Sequence, residues 1–385
     1  MGLPFDDIYN LLPHELPLPQ SPFHLKYGAY QVQVVPGSGY RGHRGMGLIT
    51  AYIQGLDTGL HELQQHIFKN TSIPDAIPVG IFHLPDCTQG ARNEPGTIPT
   101  RAGPKIMLSN RSFEISGAAR VDRARTEATH EVCHVFQLAH RRPVDDPKRT
   151  HWGWINEAVA VYCEQFVHRS GAENCYYCQD WLDSPEVSLD ALSYPSSMFI
   201  RWFAKKYDPS SIGEIWEKST PADTPLRMVE KVSNQSFDDL FTQYARDAYF
   251  VCDPESGCFF PDIYFLWGFR EVREKFRLPA ESGKAFEGRL ARLASNYFEV
   301  RASAGVQAIQ CRLETTPGLR AQIAAVRRDL WRGAFHEFQP AGTGHLSATT
   351  PISTDDHTEY HVITVSNGLH QLEDAKFKLT VTSVP

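Results

Sequence analysis

The chain has 385 residues, 42% hydrophobic and 22% charged, which is an ordinary globular composition with room for two or three domains. Its net charge of −7 excludes the basic footprint of proteins that bind nucleic acids or anionic membranes. No apolar run approaches the roughly 18 residues of a membrane span. Residues 1–7 also lack the basic and apolar stretches of a signal peptide.

The first hundred residues predict an extended arm followed by a small mixed sheet. Residues 1–22 are proline-rich and are interpreted as the arm. Alternating or continuous apolar residues predict strands at Tyr30–Val35, Ile77–Leu84 and Lys105–Ser109. Apolar residues on one side of Leu48–Lys69 predict an amphipathic helix. The stretch between the last two strands is rich in glycine and proline and predicts a loop.

The pentapeptide His130-Glu-Val-Cys-His134 is the strongest chemical signal in the chain. It lies in a run from Arg120 to Arg142 that has no proline or glycine and carries apolar residues at helical spacing, which predicts a helix. On a helix, His130 and His134 are one turn apart and both imidazoles reach one metal ion. Glu131 lies beside that ion as a candidate general base.

A second helical run, Trp154–Glu164, supplies a candidate third ligand in Glu157. Two neutral imidazoles, one carboxylate and an open fourth position form the usual catalytic zinc site, whereas a closed structural site more often uses cysteines. The sequence therefore predicts one Zn²⁺ per chain, held by His130, His134 and Glu157.

Together, H-E-V-C-H and W-I-N-E-A-V-A-V-Y-C-E resemble the gluzincin zinc metallopeptidases. The likeness is to the peptidase MA-like group and, more distantly, to the aminopeptidase-N-like enzymes, and it covers roughly residues 24–250. Ala158 stands where glycine is usual, and six residues of the second motif match as they stand: Trp154, Asn156, Glu157, Ala160, Tyr162 and Glu164. The resemblance implies a thermolysin-like domain of α+β class, a small mixed sheet plus helices.

The resemblance also implies roles for residues outside the two motifs. Tyr194, in Leu192–Ile200, would donate to the oxyanion of the transition state, or it is simply a packed tyrosine at a helix start. The strand before the H-E-x-x-H helix would be the sheet edge along which the substrate backbone pairs. Its residues are Lys105, Ile106, Met107, Leu108 and Ser109.

Three further residues have more than one interpretation. Glu164, two turns beyond Glu157, is a candidate to hydrogen-bond a ligand histidine, and Glu127, one turn before His130, competes for that role. Either is alternatively a plain surface glutamate. His151 is either a donor to the substrate or a solvent-facing loop residue.

The C-terminal part changes its pattern from helical to period two. We expect a catalytic domain at 23–252, a linker segment at 253–282 and an antiparallel β-sandwich at 283–385. Helices are predicted before the linker at Met198–Lys206, Ser211–Lys218 and Phe237–Phe250. The sandwich carries no catalytic constellation; it binds substrate or a glycan, or caps the enzyme.

Eight cysteines leave the cellular compartment open. Cys133 and Cys163 fall inside predicted helices and are interpreted as small core residues. Cys175 with Cys178, and Cys252 with Cys258, lie in turn-rich stretches as local disulfides or as unpaired thiols. Such bridges favour a secreted or extracellular protein over a cytoplasmic one.

Two functions follow from these residues. The first is a zinc metallopeptidase that hydrolyses peptide bonds with Glu131 as general base. Endopeptidase activity is favoured because the G-x-M-E-N exopeptidase signature is absent. The second is a zinc-containing binding or scaffold protein that presents the β-sandwich to a protein or glycan. The expected partner is a peptide or protein substrate, with no nucleic acid and no membrane span.

Overall fold

The structure is a computed structural model of α+β class, with helices, several sheets and a C-terminal region rich in antiparallel strands. The predicted arm at 1–22, most of the predicted linker, Cys252 and Cys258 lie outside the residues it describes. The described residues are 23–27, 30–35, 44–82, 96–100, 103–109, 118–140, 152–168, 175–220, 222–249, 272–315, 318–327, 335–340, 344–352, 358–368 and 374–385.

Within these ranges the helices follow the predicted ones closely and add several short ones. The helices are α1 Arg44–His66, α2 Ala118–Ala139, α3 Gly153–His168, α4 Cys175–Asp183, α5 Leu189–Leu192, α6 Ser197–Tyr207, α7 Ser210–Glu217, α8 Pro225–Ser233 and α9 Phe237–Tyr249. None of them combines the length and the apolar character that crossing a membrane requires.

The chain divides into two compact units that are not contiguous in sequence. The first comprises residues 1–174 and 207–228, and the second comprises 175–206 and 229–385. The boundaries expected from the sequence, at 252 and 283, stay a prediction.

The first unit contains a five-stranded mixed sheet in the order β1-β2-β3-β5-β4. The inner strands β2, β3 and β5 are parallel, and β1 and β4 pair antiparallel at the two edges. Alternate residues such as Ile77, Val79, Ile106 and Leu108 are buried, as expected where a sheet face packs on helices. The strands are β1 Phe23–Tyr27, β2 Tyr30–Val35, β3 Ile77–Phe82, β4 Gly96–Thr100 and β5 Gly103–Ser109.

The expectation that Lys105–Ser109 forms a sheet edge is wrong. These residues lie in β5, which pairs with β3 on one side and with β4 on the other. β4 was predicted as loop because glycine and proline are rare in strands. An edge strand tolerates Pro99, because only one side of the strand enters the ladder.

Two glycines of α1 set its distance from α2, the helix that carries the H-E-x-x-H motif. A Cβ atom at Gly55 would lie 2.4 Å from the carbonyl oxygen of Arg125, and one at Gly59 would lie 3.0 Å from the hydroxyl oxygen of Thr129. The hydroxyl of Thr129 donates to the carbonyl of Gly55 over 3.1 Å. The missing side chains let the two helices approach closely, so α1 is a fixed support for α2.

The second unit contains two five-stranded sheets that share one hydrophobic core, as the sheets of a β-sandwich do. The orders are β11-β10-β14-β8-β6 and β12-β13-β9-β15-β7. All described pairings within 283–385 are antiparallel, as expected for these residues. β6, which lies in the predicted linker, pairs parallel with β8. The strands are β6 Glu274–Leu278, β7 Gly283–Ala291, β8 Ala294–Ala302, β9 Ala308–Thr315, β10 Arg320–Arg327, β11 Phe335–Glu337, β12 Gln339–Pro340, β13 His345–Pro351, β14 Thr358–Asn367 and β15 Asp374–Val384.

Helix α9 belongs to this second unit and packs on β14 and β10. The hydroxyl of Tyr249, fully buried at the end of α9, donates to a carboxylate oxygen of Glu299 over 2.9 Å. The hydroxyl of Tyr297 donates to the carbonyl of Ala245 over 2.6 Å. The helix therefore provides hydrogen-bond partners for buried polar side chains of the sheet, so the helix and the sheet stabilise each other.

Candidate metal centre

The structure brings the three predicted ligands together in the first unit. His130 and His134 come from α2 and Glu157 from α3, and one ligand atom from each lies within 4.8 Å of the others. Among the residues that the structure describes, this is the group of histidine, cysteine and acidic side chains with metal-binding geometry. The α-helical spacing of four residues places both imidazoles on the face of α2 that meets α3.

The Nδ1 atom of His130 is held by a carboxylate. It lies 2.6 Å from Oε1 of Glu164, on α3, and both side chains are largely buried. An acceptor at Nδ1 leaves Nε2 for another contact, and Nε2 lies 3.1 Å from Oε2 of Glu157. Glu164 thus occupies the position expected of a residue that orients a ligand histidine.

The Nδ1 atom of His134 is held by an amide that the sequence analysis did not identify. It lies 2.8 Å from Oε1 of Gln137, one turn further along α2. The Nε2 atom of His134 faces the cluster and lies 3.6 Å from Oε2 of Glu157. Each histidine is therefore anchored through Nδ1 and points Nε2 at the same carboxylate oxygen.

The two separations that involve Glu157 fit a tetrahedral zinc site. Ligand atoms at about 2.0–2.1 Å from zinc are about 3.3–3.4 Å apart when the geometry is tetrahedral. The two separations between Nε2 atoms and Glu157 Oε2 are 3.1 and 3.6 Å, on either side of that value. Two nitrogens and one carboxylate oxygen are also the donor set that zinc takes in catalytic sites.

The electrostatics of the cluster favour a positive charge at its centre. Burial disfavours the imidazolium of His130, but bonds to Glu157 and Glu164 outweigh that effect and hold its pKa well above the usual value. Burial also opposes the Glu157 carboxylate, but its bonds to His130 and His134 hold its pKa below the usual value. The glutamate carboxylates of the cluster are stabilised by a positive charge next to them, which either a proton on an imidazole or a bound divalent cation supplies.

Glu131 and Glu127 both lie buried on α2, with 3% and 7% of their surface exposed. Glu131 directly follows His130 and lies three residues before His134, so it belongs to the turn of α2 between these two histidines. It is not one of the three clustered residues. Of the two glutamates proposed to orient a histidine, Glu164 makes the bond to His130.

Helix α3 also contacts α2 through His168, which is not one of the proposed ligands. Its Nε2 atom lies 2.6 Å from the hydroxyl oxygen of Thr129, the residue before His130. The same hydroxyl also contacts the carbonyl oxygen of Gly55 on α1. Burial and the nearby Arg125 lower the pKa of His168 to about 4, so the ring is neutral at pH 7. Helices α1, α2 and α3 thus share one polar contact beside the triad.

The other predicted site residues are distributed differently. Tyr194 belongs to the second unit, where it is 36% exposed and its ring stacks on Tyr177 at a centroid distance of 5.1 Å. Its proposed part in catalysis stays a prediction. His151 lies outside the described residues, as do the side chains of Lys105, Met107 and Ser109. Ile106 and Leu108 are buried core residues of β5.

Comparison with known proteins leaves the chain without an assigned family. No family model and no curated protein matches it. The pre-peptidase C-terminal domain of a Bacillus anthracis collagenase is 14% identical, over 30% of this chain and 100% of that one, with a TM-score of 0.22. A periplasmic inhibitor of g-type lysozyme from Aeromonas hydrophila is 12% identical, over 29% and 98%, with a TM-score of 0.20. Likenesses this weak carry no inference about fold or function.

Proposed function

We propose that the protein is a zinc-dependent metallopeptidase of gluzincin type, with endopeptidase activity. One observation carries the proposal. Both histidines of the H-E-x-x-H motif are held through Nδ1, and both direct Nε2 at the carboxylate of Glu157. Histidines that bind zinc in enzymes almost always carry such a partner on the other ring nitrogen.

The triad would hold the metal and leave one position open. Zinc, when bound there, lowers the pKa of a water molecule to about 7 and polarises the carbonyl of a peptide bond. Glu131 takes the proton of the attacking water on its carboxylate and delivers it to the amide nitrogen as the C–N bond breaks. Water thereby adds to the carbonyl carbon, and the products are a carboxylic acid and an amine.

The mixed sheet offers a place for the substrate backbone. β4 pairs with β5 on one side and has no second neighbour among the described residues. Helix α2 packs against both β4 and β5, so this edge belongs to the same part of the first unit as the triad. An extended peptide would add to the edge of β4 through backbone hydrogen bonds.

Substitution of Glu131 by glutamine tests the proposal, because it removes a proton acceptor and leaves the side chain nearly the same size. We expect Glu131→Gln to keep its zinc and to hydrolyse a denatured protein about 10²–10⁴ times more slowly. Glu62→Gln, the same change on the partly exposed side of α1, should keep both zinc and activity. His134→Ala should lose zinc and activity together.

The outcomes separate the alternatives. Loss of zinc in Glu131→Gln would make that residue a ligand, and full activity would remove it as the base. A wild-type chain that binds one zinc but cleaves no denatured protein or peptide library would instead favour the zinc-containing binding protein.

A further inference from the structure

Gln137 connects two of the candidate ligands through a single buried amide. Its side chain lies on α2 and the residue is 1% exposed. Oε1 is 2.8 Å from Nδ1 of His134, and Nε2 donates to the carbonyl oxygen of Asn156 over 3.1 Å. Asn156 precedes Glu157 near the start of α3. One end of the amide therefore meets a ligand, and the other end meets the backbone that carries the next ligand.

The carbonyl of Asn156 determines which way the amide points. A carbonyl oxygen only accepts hydrogen bonds, so the NH₂ group of Gln137 must face it. The oxygen of the amide then faces His134, and an oxygen there requires a proton on Nδ1. The lone pair of the neutral ring is left on Nε2, the atom that faces Glu157. The backbone of α3 thus sets the tautomer of a histidine on α2.

We propose that Gln137 is a positioning residue of the metal centre, which holds His134 as the Nδ1–H tautomer and ties it to the start of α3. The inference rests on the proposed metal site and adds to it the residue that makes the site ready for a metal. His130 is held by the charged Glu164, whereas His134 is held by a neutral amide.

Gln137→Met tests this assignment, because methionine has a similar length and volume but neither accepts from His134 nor donates to Asn156. Zinc affinity, measured by competition with a chromophoric chelator, should fall by about 10–100-fold. Gln322→Met is the matched control. It removes a buried amide of β10 that donates to Glu337 over 3.1 Å, and it should leave zinc affinity unchanged because Gln322 belongs to the second unit and touches no ligand.

A second readout does not depend on the metal. In the metal-free protein, the ¹⁵N shifts of the His134 ring report which nitrogen carries the proton. We expect the Nδ1–H tautomer in the wild type and a mixture, or the Nε2–H tautomer, in Gln137→Met. If that variant does not fold, Gln137→Glu replaces it, because a carboxylate still accepts from Nδ1 and should preserve the Nδ1–H tautomer.

These measurements distinguish failure of the inference from failure of the proposed function. Unchanged zinc affinity and an unchanged tautomer in Gln137→Met would overturn the role of Gln137, as would an Nε2–H tautomer in Gln137→Glu. A wild-type chain that binds no zinc would overturn the proposed function. The ring shifts would still show whether Gln137 sets the tautomer.

Discussion

The contact of α1 with α2 at Gly55 leads to a quantitative prediction about the support of the proposed metal centre. In Gly55→Ala the new methyl carbon would lie 2.4 Å from the carbonyl oxygen of Arg125, 2.8 Å from its Cα and 2.9 Å from Cβ of Ala128. These atoms belong to the backbone of α2 or are attached directly to it. No side-chain rotation relieves the contact, so the helices must move apart.

The expected cost follows from two opposing effects. Overpacking of a well-packed core costs about 1–3 kcal/mol, and the short distance to a backbone oxygen places this site near the upper value. Alanine gains about 1 kcal/mol over glycine in a helix interior. We therefore expect a net loss of about 2 kcal/mol, and weaker zinc binding, because Arg125 and Ala128 lie within about two turns of His130 on the same helix.

Native-state hydrogen exchange measures the opening of α1 and α2 separately from the second unit. Gly153→Ala is the matched control, because a Cβ at this position meets no atom within 4 Å. That variant should be neutral or slightly more stable. If Gly55→Ala opens no more easily than Gly153→Ala, the close packing of α1 on α2 is not what supports the metal centre.

Three further predictions concern other parts of the molecule. The pKa of His168 is lowered to about 4 in the folded protein, so its neutral ring stabilises the fold above pH 6.5. This contribution, at most about 3 kcal/mol, is lost as the pH falls towards 4. The difference in unfolding free energy between wild type and His168→Gln should therefore shrink over that range, and parallel pH profiles of the two proteins would contradict the prediction. The buried thiols of Cys133, Cys163 and Cys311 should resist alkylation until the protein is unfolded, with burial raising the pKa of Cys133 and Cys311; peptide mapping of labelled protein checks this. A chain that ends at residue 282 lacks the partners of Tyr249, so the amides of α9 should lose their protection from hydrogen exchange while those of α2 keep theirs.

The elements that position the triad could be predicted from the sequence because their signals are long. Arg120–Arg142 was predicted as helix and Ala118–Ala139 is helical, and the second motif helix ends at His168. Both runs lack internal proline and glycine, so apolar spacing alone decides their structure. Helix α4, Cys175–Asp183, in a stretch interpreted as turn-rich, is short and carries a weaker signal.

The contacts that complete the site could not be predicted in the same way. The order of strands in a mixed sheet is set by packing between distant segments, so no local pattern indicates that β5 has β4 as its second neighbour. A glutamine three residues after a candidate ligand histidine is equally compatible with a solvent-facing side chain. Only the approach of α3 shows that Gln137 is buried and bonded at both ends.

The segment before Tyr194 is held by the C-terminal sheets. The backbone amide of Leu189 donates to the carbonyl of Leu293 over 2.9 Å, and Arg292 pairs with Asp190 over 2.5 Å. The anchoring residues lie at the turn between β7 and β8, about a hundred positions further along the chain. The turn between two C-terminal strands therefore holds a segment that lies about a hundred residues earlier in the chain. Any role that Tyr194 has therefore depends on the C-terminal sheets.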